Sequence, residues 1–193
     1  MSARLPWLAL VLSLAGCAAL PPEGGPETFR APDQWQLSGR LALSNGRDGG
    51  SGELEWDHGL AVPGHDELRF HGALGRGSWR LKVTPDVAVL KTGDGQVQSA
   101  GDVSELVEHR TGWRIPVRAL AHWVTGNPQP DVAHVPVDDS SSRSESFRQH
   151  DWLVTIEGYH QLGDRWLPRK IIARRDGDEV RLLIRSWQLP ERG

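Results

Sequence analysis

Apolar residues recur at every second position through most of this chain, the period of a strand with one buried face. Trp35, Leu37, Gly39, Leu41 and Leu43 alternate with Gln36, Ser38, Arg40, Ala42 and Ser44, and Gly52, Leu54 and Trp56 alternate with Glu53, Glu55 and Asp57. Residues 45–50 between these runs are turn chemistry, and Asn45-Gly46 is a strong hairpin signal. Leu68 and Phe70 continue the alternation beyond Pro63-Gly64, and residues 71–78 interrupt it, with Leu74 a lone large aliphatic among Gly72, Gly75 and Gly77. Trp79, Leu81 and Val83 resume, Pro85-Asp86 turns, and Val87, Val89 and Leu90 lead through a Gly93-Asp94-Gly95 hairpin into 96–100. Further on, 131–137 reads as a weak strand, 138–146 as a polar loop, and 151–159, 166–175 and 179–189 as strong strands. In the last of these Val180, Leu182 and Ile184 face one way and Leu183 and Trp187 the other. Either both faces are covered there, or a bulge shifts the register.

Two stretches carry the helical period instead. Within 112–130, Val117, Leu120, Ala121 and Val124 sit at i, i+3, i+4 and i+7, Pro116 suits the first helical position, Gly126 offers a left-handed cap, and Pro128 forbids continuation. Upstream, Asp102 can cap a shorter helix with Glu105 reaching back, carrying Val103, Leu106 and Val107 and stopping at Gly112. About ten or eleven antiparallel strands with two or three helices predict a mainly β, α+β domain: a closed or half-closed barrel with the helix pair plugged against a curved sheet.

The chain has 193 residues, enough for one domain with its own core. Its formal charge of −3 does not suggest nucleic acid as a partner. Nine tryptophans against three phenylalanines and one tyrosine suit greasy pockets or membrane interfaces, or are simply core.

The first residues bear on compartment. Arg4 precedes an apolar run over 5–14, and Leu14-Ala15-Gly16-Cys17 follows, ending in the single cysteine of the chain. So short a run cannot span a bilayer, so it reads as a signal peptide. The box into Cys17 looks like a bacterial lipobox, in which the thiol is acylated and becomes N-terminal. This divides the chain into a signal peptide (1–16), a lipidated Cys17 with a Pro/Gly-rich tether (17–33) and a folded domain (34–193). Ala18 rather than Asp follows Cys17, which points to the periplasmic face of the outer membrane.

No pattern amounts to an active site. His58, His65 and His71 would ligate a metal only if neighbouring strands aligned them, and beside turns they read as surface histidines; no metal is expected. There is no His-Glu-x-x-His pair and no Gly-x-Ser-x-Gly elbow, and Glu53 and Glu55 read as outward strand residues. Arg165, Arg169, Lys170, Arg174, Arg175, Arg181 and Arg185 cluster late, either steering an acidic partner or anionic head groups or simply solvating strand faces.

Taken in order, these residues resemble the LolB family of outer-membrane lipoproteins, receptors in bacterial lipoprotein localisation, from about Gln34 to Leu189. The likeness rests on the lipobox, Trp35 with Gly39-Arg40-Leu41, Leu54-Glu55-Trp56, Gly72-Ala73-Leu74-Gly75, Ile115-Pro116 with Leu120, Trp123 and Gly126, then Trp152, Leu167-Pro168 and Trp187. Ala73 departs from it, standing where a proline is common, and so does the serine-rich stretch 140–146. The resemblance implies an incomplete antiparallel barrel of about eleven strands, lidded by two or three short helices around an apolar cavity. It implies a receptor that takes lipoproteins from a periplasmic LolA-type carrier, holds their acyl chains in the cavity and inserts them into the inner leaflet of the outer membrane. Its partners would be that carrier, the cargo's acyl chains and outer-membrane phospholipid, with no cofactor, and the protein a monomer. Trp56, Leu120, Trp123, Val124, Trp152 and Trp187 are the candidate cavity residues, with plain core as the alternative for each, and Leu74 is the candidate membrane-insertion residue. A structural lipoprotein subunit of an outer-membrane assembly machine is the rival reading, and a lipid-modifying enzyme a more distant one.

Overall fold

The computed structural model describes residues 31–73, 77–113, 115–138 and 144–190. In chain order the strands are β1 (Trp35–Ser44), β2 (Gly49–His58), β3 (Asp66–Gly72), β4 (Trp79–Val83), β5 (Ala88–Thr92) and β6 (Val97–Ala100). Two helices follow, α1 (Val103–Thr111) and α2 (Val117–Trp123). The remaining strands are β7 (Val135–Val137), β8 (Glu145–Gln149), β9 (Trp152–Ile156), β10 (Tyr159–Leu162), β11 (Arg165–Pro168), β12 (Lys170–Arg175) and β13 (Asp178–Gln188). Eleven of them make one sheet in the order β6-β5-β4-β3-β2-β1-β13-β12-β9-β8-β7, and β10 with β11 forms a separate hairpin. Neighbours in the sheet pair antiparallel. The sheet is not closed: β6 and β7 are its two edges, and the chain between those edges is the helix pair.

Alternation sets which wall is inside. Trp35, Leu37, Leu41 and Leu43 of β1 and Leu54 and Trp56 of β2 are buried, with Leu68, Phe70, Leu81, Val83, Ala88 and Leu90 continuing the wall and Val154, Ile156, Ile171, Ala173, Val180, Leu182 and Ile184 completing it. The register question in β13 resolves as a bulge. Ser38 pairs with Ser186 but Gly39 with Ile184, so Arg185 is the extra residue. The bulge turns Trp187 inward while leaving Leu183 exposed. Gly39 is required there, because a Cβ at that position would collide with the Leu183 carbonyl.

Several boundaries differ from the sequence reading. The first hairpin loop is 45–48, held by Asn45 Oδ1 accepting from the Arg47 and Asp48 N–H groups, and Gly49 and Gly50 already belong to β2. Only Val135–Val137 of the weak strand pairs, and Glu145 and Ser146 belong to β8 rather than to the polar loop. The expected strands 151–159 and 166–175 are each broken, because Gly158 takes a left-handed φ of 69° and Arg169 separates β11 from β12. Tyr159 of the first and 166–168 of the second belong instead to the β10–β11 hairpin, which periodicity missed.

The helices follow their caps. The Asp102 carboxylate accepts from the Ser104 and Glu105 N–H groups at 2.7 and 2.9 Å, and α1 ends at Gly112 with φ 74°. In α2, Pro116 is the capping residue rather than the first helical one, and Gly126 takes φ 87° two residues beyond Val124. The expected single apolar face is too narrow. Ala119 and Trp123 are buried as well as Val117, Leu120 and Ala121, so α2 is enclosed nearly all round.

Candidate functional site

The strand registers define two ends of the barrel. Trp35, His58, Asp66 and Gln188 lie at one, and Ser44, Gly49, Gly72, Trp152 and Asp178 at the other. β3 therefore ends, at Gly72, at the second end. Leu74 itself, like Cys17, lies outside the described residues.

All six candidate cavity residues belong to one continuous apolar cluster against the inner wall. Within it they fall into two groups. At the first end Trp35, which periodicity placed inside but which was not singled out, packs edge-on between Trp56 (centroids 5.1 Å apart) and Trp187 (5.4 Å). Trp56 Nε1 donates to Asp66 Oδ1 at 2.7 Å, and Trp187 Nε1 donates to the Pro168 carbonyl at 3.0 Å. The β10–β11 hairpin thus closes this end, and His160 Nε2 meets the Ile184 carbonyl at 3.0 Å beside it. At the second end Trp123 of α2 tilts against Trp152 of β9, centroids 6.2 Å apart. Leu120 and Val124 are buried in the same cluster, on the stretch of chain that ends in Trp123 and the turn after it.

Gln149 anchors the second group, and nothing in the sequence flagged it, since it falls between the expected polar loop 138–146 and the expected strand 151–159. It is 2% exposed and fully used. Its Oε1 accepts from Trp123 Nε1 at 2.8 Å and from the Gln129 N–H at 2.7 Å, and its Nε2 donates to the Gln129 and Val132 carbonyls at 2.9 and 3.0 Å. One side chain thereby ties α2, the loop after it and β8 together. Among the described residues only Gln149 and Thr125 are buried polar residues, so the interior is almost wholly hydrocarbon.

At the second end a narrow crevice of about 10 Å³ lies between Leu43, Ser44, Trp113, Ile115, Trp152, Asp178, Glu179 and Val180. Trp152 is 1% exposed, and its Nε1–H is buried without a hydrogen-bond partner. The Arg175 guanidinium lies over its ring, 4.9 Å from the centroid.

Charged groups keep to the outside. Glu53 pairs with Arg185 and Glu55 with Arg69, the ordinary outward role read for them. The late basic cluster is largely paired rather than free: Lys170 with Glu157, Arg174 and Arg181 with Glu179, and Arg175 with Asp178. Of the histidines, His58 is partly exposed but held in place. It is half-buried, stacks on Trp35 at 4.9 Å and bonds Asp66 Oδ1 through Nδ1 at 2.7 Å. His71 sits at the opposite end of the sheet, paired with Glu53 in the β2–β3 register, so the strands do not align the three histidines. Among the described residues no group of three or more His, Cys, Asp or Glu could hold a metal ion. Burial, with a smaller push from His58 and an opposing pull from Asp66, holds the His122 imidazole below its ordinary value. Burial also pushes the Tyr159 hydroxyl up, reinforced by Glu145.

A model of the family described as outer membrane lipoprotein LolB matches residues 33–187. The chain belongs to the LolB family. This LolB-family chain is 33% identical over 192 residues to the outer-membrane lipoprotein LolB of Pseudomonas putida strain W619, spanning 93% of this chain and 92% of that protein. It is 31% identical over 193 residues to the outer-membrane lipoprotein LolB of Pseudomonas syringae pv. syringae strain B728a, spanning 93% of each. Among solved structures, a LolA superfamily protein from Nitrosomonas europaea superposes with a TM-score of 0.50 over 86% of this chain and 90% of that one. Identity to it is 9%, so the likeness is one of fold.

Proposed function

We propose that this protein is an outer-membrane receptor which accepts lipoproteins from a periplasmic LolA-type carrier and inserts them into the inner leaflet of the outer membrane. The cargo's acyl chains would be held between the α1–α2 plug and the inner wall of the open barrel. The observation that carries this reading is the apolar interior packed against a helix pair that joins the two unpaired sheet edges along the chain. Because α1 and α2 are not strands of the sheet, their displacement opens space without breaking strand pairs, although α2 must give up the Trp123–Gln149 hydrogen bond to β8. LolB-family membership supports the same role at the outer membrane.

The physics of cargo favours such a holder. Each buried methylene is worth about 0.8 kcal/mol, so an acylated protein stays out of water unless something covers its chains. Delivery then runs down an affinity gradient from carrier to receptor to bilayer. Trp56, Leu120, Trp123, Val124, Trp152 and Trp187 are the residues proposed to meet the chains. In this reading Cys17 carries the lipid anchor, the tether lets the domain move, and Leu74 touches the bilayer during release.

A two-step transfer assay tests the proposal. Purified carrier loaded with labelled lipoprotein is mixed with this protein bearing Cys17→Ala, and the receptor is then added to liposomes. Label should move to the receptor and afterwards to the liposomes. Label that stays on the carrier whatever the receptor concentration would overturn the assignment.

A further inference from the structure

We propose that the Trp152 indole N–H binds a carbonyl oxygen at the head of a cargo acyl chain, the ester or amide oxygen of an acylated cysteine. The inference rests on the acyl-holding role proposed above and names the polar subsite within it. Three observations concern Trp152 and its surroundings. The Nε1–H of Trp152 is buried and has no hydrogen-bond partner. Trp152 lines a crevice whose other walls are mainly apolar, Leu43, Trp113, Ile115 and Val180. That crevice lies where β13 begins and β9 begins, the end of the barrel at which β3 also ends.

Chemistry narrows the ligand. An indole N–H only donates, so its partner has to be an acceptor. Hydrocarbon tails have none, and the acceptors that travel with acyl chains are the carbonyl oxygens where the chains join the glyceryl-cysteine. The crevice is of the size that takes a single small polar group rather than a chain, on the order of one water. A carbonyl seated there leaves the tail to run inward along the apolar wall and the cargo's protein part outside, past Asp178 and Glu179. The other three tryptophan N–H groups of the candidate set already have partners, Asp66, Gln149 and Pro168. Among those tryptophans Trp152 is thus the one whose donor is left for a ligand.

The test compares matched single-chain probes on the Cys17→Ala protein: a hexadecanoyl glycerol ester and the hexadecyl glycerol ether, equal in length and differing in the carbonyl. Wild-type side chains should bind the ester more tightly than the ether. Trp152→Phe should weaken ester binding about tenfold, the equivalent of about 1.4 kcal/mol, and leave ether binding within twofold. Independently of that variant's folding, the Trp152 indole signal in the ¹⁵N NMR spectrum should move on ester addition and stay put on ether addition. Equal loss of both probes makes Trp152 a packing residue, and no loss of either means the donor faces a bound water; both results overturn the subsite while leaving acyl binding intact. A protein that binds neither probe overturns the acyl-holding role, and the subsite with it.

Discussion

Replacing Gln149 with Leu should be among the most damaging conservative changes in the interior. The side chain is 2% exposed and makes four hydrogen bonds, to Trp123 Nε1, to both backbone groups of Gln129 and to the Val132 carbonyl. Leucine keeps roughly the volume but returns none of those bonds. Gln129 and Val132 are only half-buried, so water can take over their backbone groups at small cost. Trp123 is 0% exposed, so its N–H stays orphaned. A buried unsatisfied donor costs about 1–3 kcal/mol, and the freed loop groups bring the expected total to about 2–4 kcal/mol. Urea unfolding of the Cys17→Ala protein, with and without Gln149→Leu, measures it directly as a lowered midpoint. The Trp123→Phe background adds a check, because once the indole N–H is gone Gln149→Leu should cost about 1 kcal/mol less. A loss below about 0.5 kcal/mol, within the range of ordinary surface changes, would refute the view that Gln149 fixes α2 to β8.

Other outcomes follow from the same structure. His122 is held below its ordinary value, so below about pH 6.5 the unfolded chain binds the extra proton more readily and stability should fall as pH drops through that range. His122→Gln should flatten this pH dependence in thermal melts, and an unchanged slope would remove His122 as its source. Leu74→Glu should leave acceptance of cargo from the carrier intact and slow its release to liposomes. A single leucine gains only about 1.5–3 kcal/mol on full burial, enough to orient the domain but not to anchor it, and wild-type release by the variant would remove Leu74 from that role. Cys17→Ala should leave a soluble periplasmic protein that still takes up acyl probe, as fractionation and a binding titration would read.

Much of this fold was legible because strand alternation and burial have the same cause. Trp35, Leu37, Leu41, Leu43, Leu54 and Trp56 were placed inward by period alone and are buried. The limits of α1 at Asp102 and Gly112 are legible because capping chemistry is local, whereas α2 ends at Val124, before the expected cap at Gly126. What escaped depends on partners distant in sequence. The β13 bulge at Arg185 depends on β1 at Gly39, and the β10–β11 hairpin depends on docking its Pro168 carbonyl to Trp187. The site shows the same division. Six aromatic and aliphatic candidates could be named from pattern and resemblance, and all lie in one cluster. Gln149 could not be named, because an inward glutamine gains meaning only from the Trp123, Gln129 and Val132 groups that meet it. The late basic cluster stayed open for the matching reason: the sequence displays its charges but not their pairing with Glu157, Asp178 and Glu179 across the strands.

Acyl binding between plug and wall is tested most directly by tryptophan fluorescence with palmitoyl chains brominated at mid-chain, since bromine quenches indoles only at close range. Brominated chains should quench the Cys17→Ala protein saturably, a diacylated peptide should reverse the quenching, and the quenched fraction should fall in Trp123→Phe and Trp152→Phe variants. Emission that is unchanged by brominated chains, or quenched to the same extent after both substitutions, would contradict the placement of the chains against α2 and β9.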